Sequence, residues 1–348
     1  MSRHIFPIDM DISQLDKILE SEPNFRKAQA KKAVFQELIE SWDNAKTLPL
    51  DLRGVLEKEC PLKINVQAVV SPDEKTVKAL ITFHDKLGSE TVLMRHSGSS
   101  SQSGKDRNTI CVSSQVGCLL GCTFCATGKM GFKRNLTSRE IVEQVIFFAR
   151  YLKTKNAKVT NVVFMGMGEP FLNYDNVLEA IRVLNNKDGF GLGARHFSIS
   201  TVGIADGIKR LAREQLQVNL AVSLHAGNDK LRSEIMPANK KYPLKDILEA
   251  VDEYIKETNR RVMFEYVMIK DVNDSDACAR ELAVIMKKPL YFVNLISYNP
   301  TGIFEASSMD RIKKFKQILE ERGVQVTQRY KFGSGIKGAC GQLAGRPR

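Results

Sequence analysis

From Thr109 onward the sequence repeats one unit about six times: a short apolar, β-branched run, a turn, then an amphipathic segment of helical period. Such alternation makes neighbouring strands parallel, because each return to the start of the sheet consumes a helix. Strands are predicted near 109–112, 159–165, 196–201, 217–224, 262–268 and 290–296, with helices over 173–185, 203–214, 243–257, 274–287 and 308–322. The run Thr137-Ser-Arg-Glu140 is a capping box that starts another helix ahead of Ile141, Val145 and Phe148. The pattern predicts an α/β fold, a partial (β/α)6 barrel whose reactive groups gather at the carboxyl ends of the strands. An open doubly wound sheet is the alternative.

The chain before this core reads differently. Residues 1–60 carry apolar side chains at helical spacing, such as Leu15, Ile18 and Leu19, punctuated by Pro23 and Pro49, and predict a helical accessory unit. Residues 61–96 alternate apolar and polar positions, as antiparallel strands do, with the likeliest turn at Gly88-Ser89. A Ser/Gly-rich connection over 97–108 leads into the core, 109–330, and a tail follows over 331–348.

Charge narrows the partners. Fifty-two Lys and Arg against forty Asp and Glu leave +12, a balance that favours a polyanion over a small neutral substrate. Arg26, Lys27, Lys31 and Lys32 crowd the helical unit, and Gly323–Arg348 holds five basic residues and no acid. Apolar runs fall far short of the ~20 residues that cross a bilayer, and no charged-then-apolar leader opens the sequence. The expectation is a cytoplasmic chain with no membrane partner. Seven cysteines, three of them within eight residues, favour metal or redox chemistry over a disulfide framework.

Those three, Cys118-Leu-Leu-Gly-Cys122-Thr-Phe-Cys125, follow the first predicted strand in a loop loosened by Gly117, Gly121 and Gly128. A closed zinc site would want a fourth Cys or His at short spacing, and only Cys111 stands within twenty residues. Three thiolates can instead hold three irons of a 4Fe-4S cluster and leave the fourth open. The spacing, with an aromatic residue before the last Cys, resembles the motif of radical S-adenosylmethionine enzymes. That resemblance implies that the methionine moiety of S-adenosylmethionine (SAM) chelates the open iron, and that one electron splits the sulfonium to a 5′-deoxyadenosyl radical.

The remaining SAM contacts are expected at later strand ends. Gly166-Met-Gly168-Glu169-Pro170 closes the second strand and resembles the family's GGE-type motif, although a tight βα loop explains its glycines equally well. Ser200 ends the third strand, Ser223-Leu224-His225 the fourth, and Asn299 follows the sixth. Each alone reads as an ordinary loop residue; together they fall on one predicted face.

Two further cysteines sharpen the resemblance. Cys111 lies seven residues before the triplet, and Cys340 lies in Gly338-Ala-Cys340-Gly-Gln-Leu343, a setting read as an exposed basic tail, suited to presenting a thiolate. Cys60 and Cys278 read as buried small hydrophobes. Cys111 through Cys118, Cys125 through Gly128, Gly166–Pro170 with Asn173, Ser198–Thr201 and Ala339–Leu343 all resemble the RlmN and Cfr family of adenine methyltransferases, from about Glu90 to Leu343.

An adenine ring carbon is electrophilic and cannot attack a sulfonium methyl, so the methyl must first be parked elsewhere. The resemblance implies that Cys340 takes a methyl from one SAM, that a second SAM supplies the radical that removes a hydrogen from it, and that the resulting methylene radical adds to adenine. It implies release assisted by a transient Cys111–Cys340 disulfide. Glu90 aligns with an acidic residue sometimes assigned as proton acceptor, although a strand Glu is more often a surface carboxylate. The implied substrate is carbon 2 of an adenine in 23S rRNA, at the peptidyl transferase centre, and in tRNA anticodon loops, with a flavodoxin or ferredoxin as electron donor and a monomeric chain. Alternatives are carbon-8 methylation, a non-catalytic iron–sulfur protein of ribosome assembly, and a radical enzyme acting on protein. RNA contacts are expected from the helical unit and from Arg329, Tyr330, Lys331 and Phe332, although a final strand explains the latter nearly as well.

Overall fold

The computed structural model describes residues 12–98, 106–329 and 333–344. It opens with α1 (Ile12–Ile18), α2 (Asn24–Phe35) and α3 (Leu50–Glu59), as the helical spacing predicts. Trp42 is fully buried, and its indole N–H donates to the Cys60 carbonyl at 2.7 Å, tying the turn between α2 and α3 to the end of α3. Cys60 is buried as expected. This unit packs into the same hydrophobic core as the rest of the chain.

Three antiparallel strands follow: β1 (Val66–Val70), β2 (Thr76–Thr82) and β3 (Gly88–His96). The turn expected at Gly88-Ser89 lies earlier, because Gly88 already pairs with Thr82. Asp85 accepts the Leu87 N–H at 3.0 Å and Lys86 takes φ 65°, so the Asp builds the turn. Gly88 serves packing instead, since a Cβ there would meet Leu80 Cδ1 at 2.9 Å.

The connection expected over 97–108 falls largely outside the described residues, and Arg107 and Asn108 already belong to β4 (Arg107–Val112). A short hairpin that the sequence did not announce, β5 (Gln115–Gly117) with β6 (Phe132–Asn135), frames the cysteine loop. Helix α4 (Ser138–Thr154) starts at the capping box, with Thr137 and Glu140 each bonding the other's backbone. Its Arg150 donates to the carbonyls of Ile39 and Leu62, fastening the helical unit to the core.

The alternation then runs β7 (Asn161–Phe164), α5 (Tyr174–Asn185), β8 (Phe197–Thr201), α6 (Ala205–Arg213), β9 (Asn219–Ser223), α7 (Asp229–Ile235), α8 (Leu244–Thr258), β10 (Val262–Met268), α9 (Asp276–Ile285), β11 (Tyr291–Ser297), α10 (Met309–Glu320) and β12 (Val326–Gln328). Among the described residues all strands but the β5–β6 pair form one ten-stranded sheet, ordered β1-β2-β3-β4-β7-β8-β9-β10-β11-β12. From β4 onward every pairing is parallel. The antiparallel strands are thus an extension of the main sheet, and the sheet keeps β1 and β12 as edges.

Strand order never reverses, so successive right-handed crossovers put the helices on one face. That is the winding of a barrel segment, whereas a doubly wound sheet needs a reversal of order. Side chains divide accordingly. Ile110, Val112, Phe164, Ile199, Val222, Phe264 and Leu295 join the core beneath the helices. Positions of the opposite parity, among them Lys78, Glu90, Cys111, Ser200, Ser223 and Glu265, turn to the inner face, where the site is built.

Candidate active site

The cysteine loop begins where β5 ends. Gly117 and Gly121 take φ 79° and 61°, which reverse the chain around the thiols, and a Cβ on Gly117 would strike the Gly131 carbonyl at 1.8 Å. Thr123 N–H donates to Ile235 O at 3.0 Å, seating the loop on α7. Cys118, Cys122 and Cys125 are all partly exposed and line one cleft of about 980 Å³, counting its open mouth. Burial pushes the Cys118 thiol up to about 11 and Cys122 higher still.

The far wall of the cleft comes from β7 to β11. After β7, Glu169 is 3 % exposed, and its two oxygens accept the N–H groups of Phe171 at 3.0 Å and Val202 at 2.8 Å. Burial still raises its carboxyl to about 7. On the inner faces of β8 to β10, Ser200 donates to Glu265 Oε2 at 2.8 Å, and Ser223 Oγ stands 3.4 Å from Ser200 Oγ. His225 is buried at φ 61°, and its Nδ1 accepts the Val267 N–H at 3.1 Å, which leaves the ring proton on Nε2. Burial first, and the charge of Arg232 second, lower its pKa to about 3, so the ring is a fixed neutral donor against Phe124, 5.0 Å away edge-on. Fully buried Arg232 donates to the carbonyls of Val202, Ser223 and Leu224, locking the ends of β8 and β9 together.

The carboxyl-terminal segment folds back over this mouth, which corrects the expectation of an exposed tail. Ala126 N–H donates to Gly341 O at 2.8 Å, Thr127 Oγ1 to Leu343 O at 2.7 Å, and Asn299 Nδ2 to Cys340 O at 3.3 Å. The Ala344 N–H reaches Glu90 Oε2 at 2.6 Å, and Lys78 Nζ lies 2.8 Å from Glu90 Oε1. Glu90 is therefore buried on β3, where a surface carboxylate is the commoner fate. Cys340 lines the large cleft and a smaller adjoining cavity shared with Cys111. Cys111, on β4, packs with Val92, Val163, Met167 and Leu343, and burial followed by the nearby Cys340 pushes its thiol up to about 12.

Residues 112–280 match the Radical SAM superfamily. A probable dual-specificity RNA methyltransferase RlmN of Dictyoglomus thermophilum is 43 % identical, over 97 % of this chain and 95 % of its own. The ribosomal RNA large subunit methyltransferase N of Nitrosopumilus maritimus is 47 % identical over 80 % and 79 %. The crystal structure of a radical SAM methyltransferase from Sphaerobacter thermophilus superposes with a TM-score of 0.91 at 43 % identity, covering 97 % and 98 % of the two chains. The chain belongs to the RlmN family of radical SAM RNA methyltransferases.

Membership in this family implies a 4Fe-4S cluster and SAM. The residues present fit both. Among the described residues, no three His, Cys, Asp or Glu side chains close tightly enough to grip a single ion. The three thiols line the same cleft, in a loop packed so closely that a Cβ on Gly128 would press on the Cys122 backbone at 3.1 Å.

Of the expected SAM contacts, Gly168, Glu169, Ser200, Ser223, His225 and Asn299 line the cleft together. Leu224 does not; its side chain is buried in the main core, and only its backbone serves the site, through Glu265 and Arg232. Asn173 pins loops instead, donating to the carbonyls of Ser114 and Leu136 at 2.7 Å each. Glu265 was missed. Glu265 could have been found as the one acid at an inner-face position of the apolar strand 262–268.

Arg329, expected to face RNA, turns inward instead, donating to Cys340 Sγ at 3.6 Å and Glu265 Oε1 at 3.4 Å. Tyr330, Lys331 and Phe332 lie outside the described residues. The basic cluster of the helical unit is engaged locally: Lys31 pairs with Asp16 at 2.9 Å, Lys32 with Glu37 at 3.6 Å, while Arg26 and Lys27 cap the carbonyls of Thr47 and Glu20. Such exposed pairs are weak. All seven cysteines are free thiols.

Proposed function

We propose that this chain methylates carbon 2 of an adenine in 23S rRNA, and in tRNA, carrying the methyl on Cys340. The observation that carries the reading is the placement of Cys340: the tail brings its thiol to the cleft that holds the three loop cysteines and to the cavity that holds Cys111. A chain that only bound a cluster, or only bound RNA, would have no use for a thiol fastened there by four backbone or side-chain bonds to three different elements. The reading includes two SAM molecules per turnover, a flavodoxin or ferredoxin as electron donor, a monomeric chain and a cytoplasmic location. Among the described residues no helix is long and apolar enough to cross a membrane.

Each group then has a task. Cys118, Cys122 and Cys125 hold the cluster, which when bound supplies an electron for reductive cleavage of SAM. Glu169, with two backbone N–H groups already on its oxygens, keeps lone pairs for the SAM ammonium. Ser200, Ser223 and His225 offer neutral donors and acceptors to the nucleoside end. Cys340 accepts a methyl by displacement and presents it to the adenine. Cys111, protonated and buried beside it, is the resolving thiol, and Glu90 is a carboxylate within the same tail-binding region.

The test is anaerobic reconstitution with iron and sulfide, then reaction with SAM, reductant and a 23S rRNA fragment. Expected are 5′-deoxyadenosine and a methyladenosine matching the carbon-2 standard. A carbon-8 product would transfer the chain to the other branch of the family, and RNA without methyl would sink the reading.

A further inference from the structure

The cavity beside the cleft holds two cysteines in unlike surroundings. Cys111 is buried among Val92, Val163 and Met167, and burial holds its thiol proton far above neutral pH. Cys340 is partly exposed and faces a guanidinium. The backbone fixes that guanidinium from below: Arg329 N–H donates to Leu295 O at 2.9 Å, continuing the β11–β12 ladder. Its Nη1 reaches both Cys340 Sγ at 3.6 Å and Glu265 Oε1 at 3.4 Å, and Nη2 reaches Met165 Sδ at 3.5 Å.

We propose that Arg329 is a catalytic residue of the methyl-loading step, its guanidinium stabilising the sulfur of Cys340 as a thiolate for attack on the sulfonium methyl of SAM. The inference rests on Cys340 being the methyl carrier and adds to that reading the group that makes it nucleophilic. The thiol proton leaves to solvent. The thiolate then forms the new S–CH3 bond with its own electron pair, and the pair of the breaking bond returns to the SAM sulfur, giving neutral S-adenosylhomocysteine. No external oxidant or reductant is required.

Charge accounting favours this assignment over a structural ion pair. Glu265 is the carboxylate paired with Arg329, at 3.4 Å, and its other oxygen is taken by Ser200. The guanidinium is thus shared between one carboxylate and one sulfur at similar distance. Negative charge at Cys340 is also the largest influence holding Arg329 above its ordinary pKa, ahead of Glu265. Once the sulfur is methylated it carries no charge, and Arg329 keeps only Glu265. The contact therefore acts on loading and lapses once the sulfur is methylated, while burial keeps Cys111 protonated.

The experiment follows alkylation of Cys340 by iodoacetamide against pH in the anaerobic, reconstituted protein, read on its peptide by mass spectrometry. The charged and titratable groups facing this sulfur are Arg329, Glu265, Cys111 and, across the cavity, Cys125. Arg329→Gln should raise the pH midpoint by about one unit or more, as expected on losing an opposite charge in contact. Glu265→Gln should lower it, because the whole guanidinium charge then falls to the sulfur. Arg329→Lys should restore most of the wild-type midpoint. A merely structural Arg329 would change accessibility, and hence the plateau rate, without moving the two midpoints in opposite directions; that result overturns the proposal. Failure of the methyl-carrier reading shows separately, as a wild-type Cys340 peptide that never gains a methyl from SAM.

Discussion

Lys78 Nζ lies 2.8 Å from Glu90 Oε1, with the two side chains only 9 % and 3 % exposed, and the other Glu90 oxygen accepts the Ala344 N–H at 2.6 Å. A buried ion pair on the antiparallel extension of the sheet thus latches the segment that carries Cys340. Lys78→Met removes this buried ion pair, and should cost about 3–5 kcal/mol in urea unfolding. The double variant Lys78→Met with Glu90→Gln should recover much of that loss. Equal losses in the single and double variants would show that the pair is not coupled.

Substituting the two reactive thiols should give opposite signatures. Under the proposed scheme, Cys111→Ala removes the resolving group after carbon–carbon bond formation, and should accumulate a covalent protein–RNA adduct visible on a denaturing gel. Under the same scheme, Cys340→Ala removes the methyl carrier and should form none. Free RNA and turnover indistinguishable between the two variants would sink the two-thiol scheme.

Glu169 makes the site's stability depend on pH. Its folded pKa, about 7, lies above the unfolded value near 4.5, so the folded state binds more protons between those limits. Stability is therefore fullest below about pH 4.5 and is lost as pH rises towards 7, by about 3 kcal/mol in all. Glu169→Gln should flatten the difference in urea midpoints across that window. SAM should shrink the contrast, since its ammonium favours the ionised carboxylate and so lowers the folded pKa. A wild-type and variant pair whose midpoints run parallel from pH 5 to 8 would refute this.

The core strands and helices were legible because burial on one face imposes a period, and the observed β10, Val262–Met268, coincides with the predicted one. The same parity carries the site: an inner-face Ser200 or Ser223 stands out in an apolar strand. What the sequence concealed depends on chain return. Arg329 reads as one of five basic residues in a terminal segment, and only the fold of that segment turns it onto Cys340. Helix α7 has seven residues, too few to show a period, yet its Arg232 ties β8 to β9. Strand β12 and the β5–β6 hairpin are three or four residues long and escape detection for the same reason.

The Gly166–Pro170 turn gives the sharpest test of backbone at the SAM site. Gly168 takes φ 96°, and a Cβ there would fall 2.5 Å from Gln115 Cβ and 2.8 Å from its Oε1. That oxygen accepts the Glu169 N–H at 2.9 Å, while Gln115 Nε2 holds Asn135 at 2.8 Å. Gly168→Ala must therefore both strain the backbone, by about 1–3 kcal/mol, and push Gln115 off the peptide that aims Glu169. The expected result is a SAM dissociation constant raised tenfold or more in anaerobic calorimetry, with iron and sulfide content per chain unchanged, because the three cluster cysteines lie on a different loop. If affinity is retained in a folded variant, the turn is only a turn, and Glu169 is not held in place by the geometry that surrounds it.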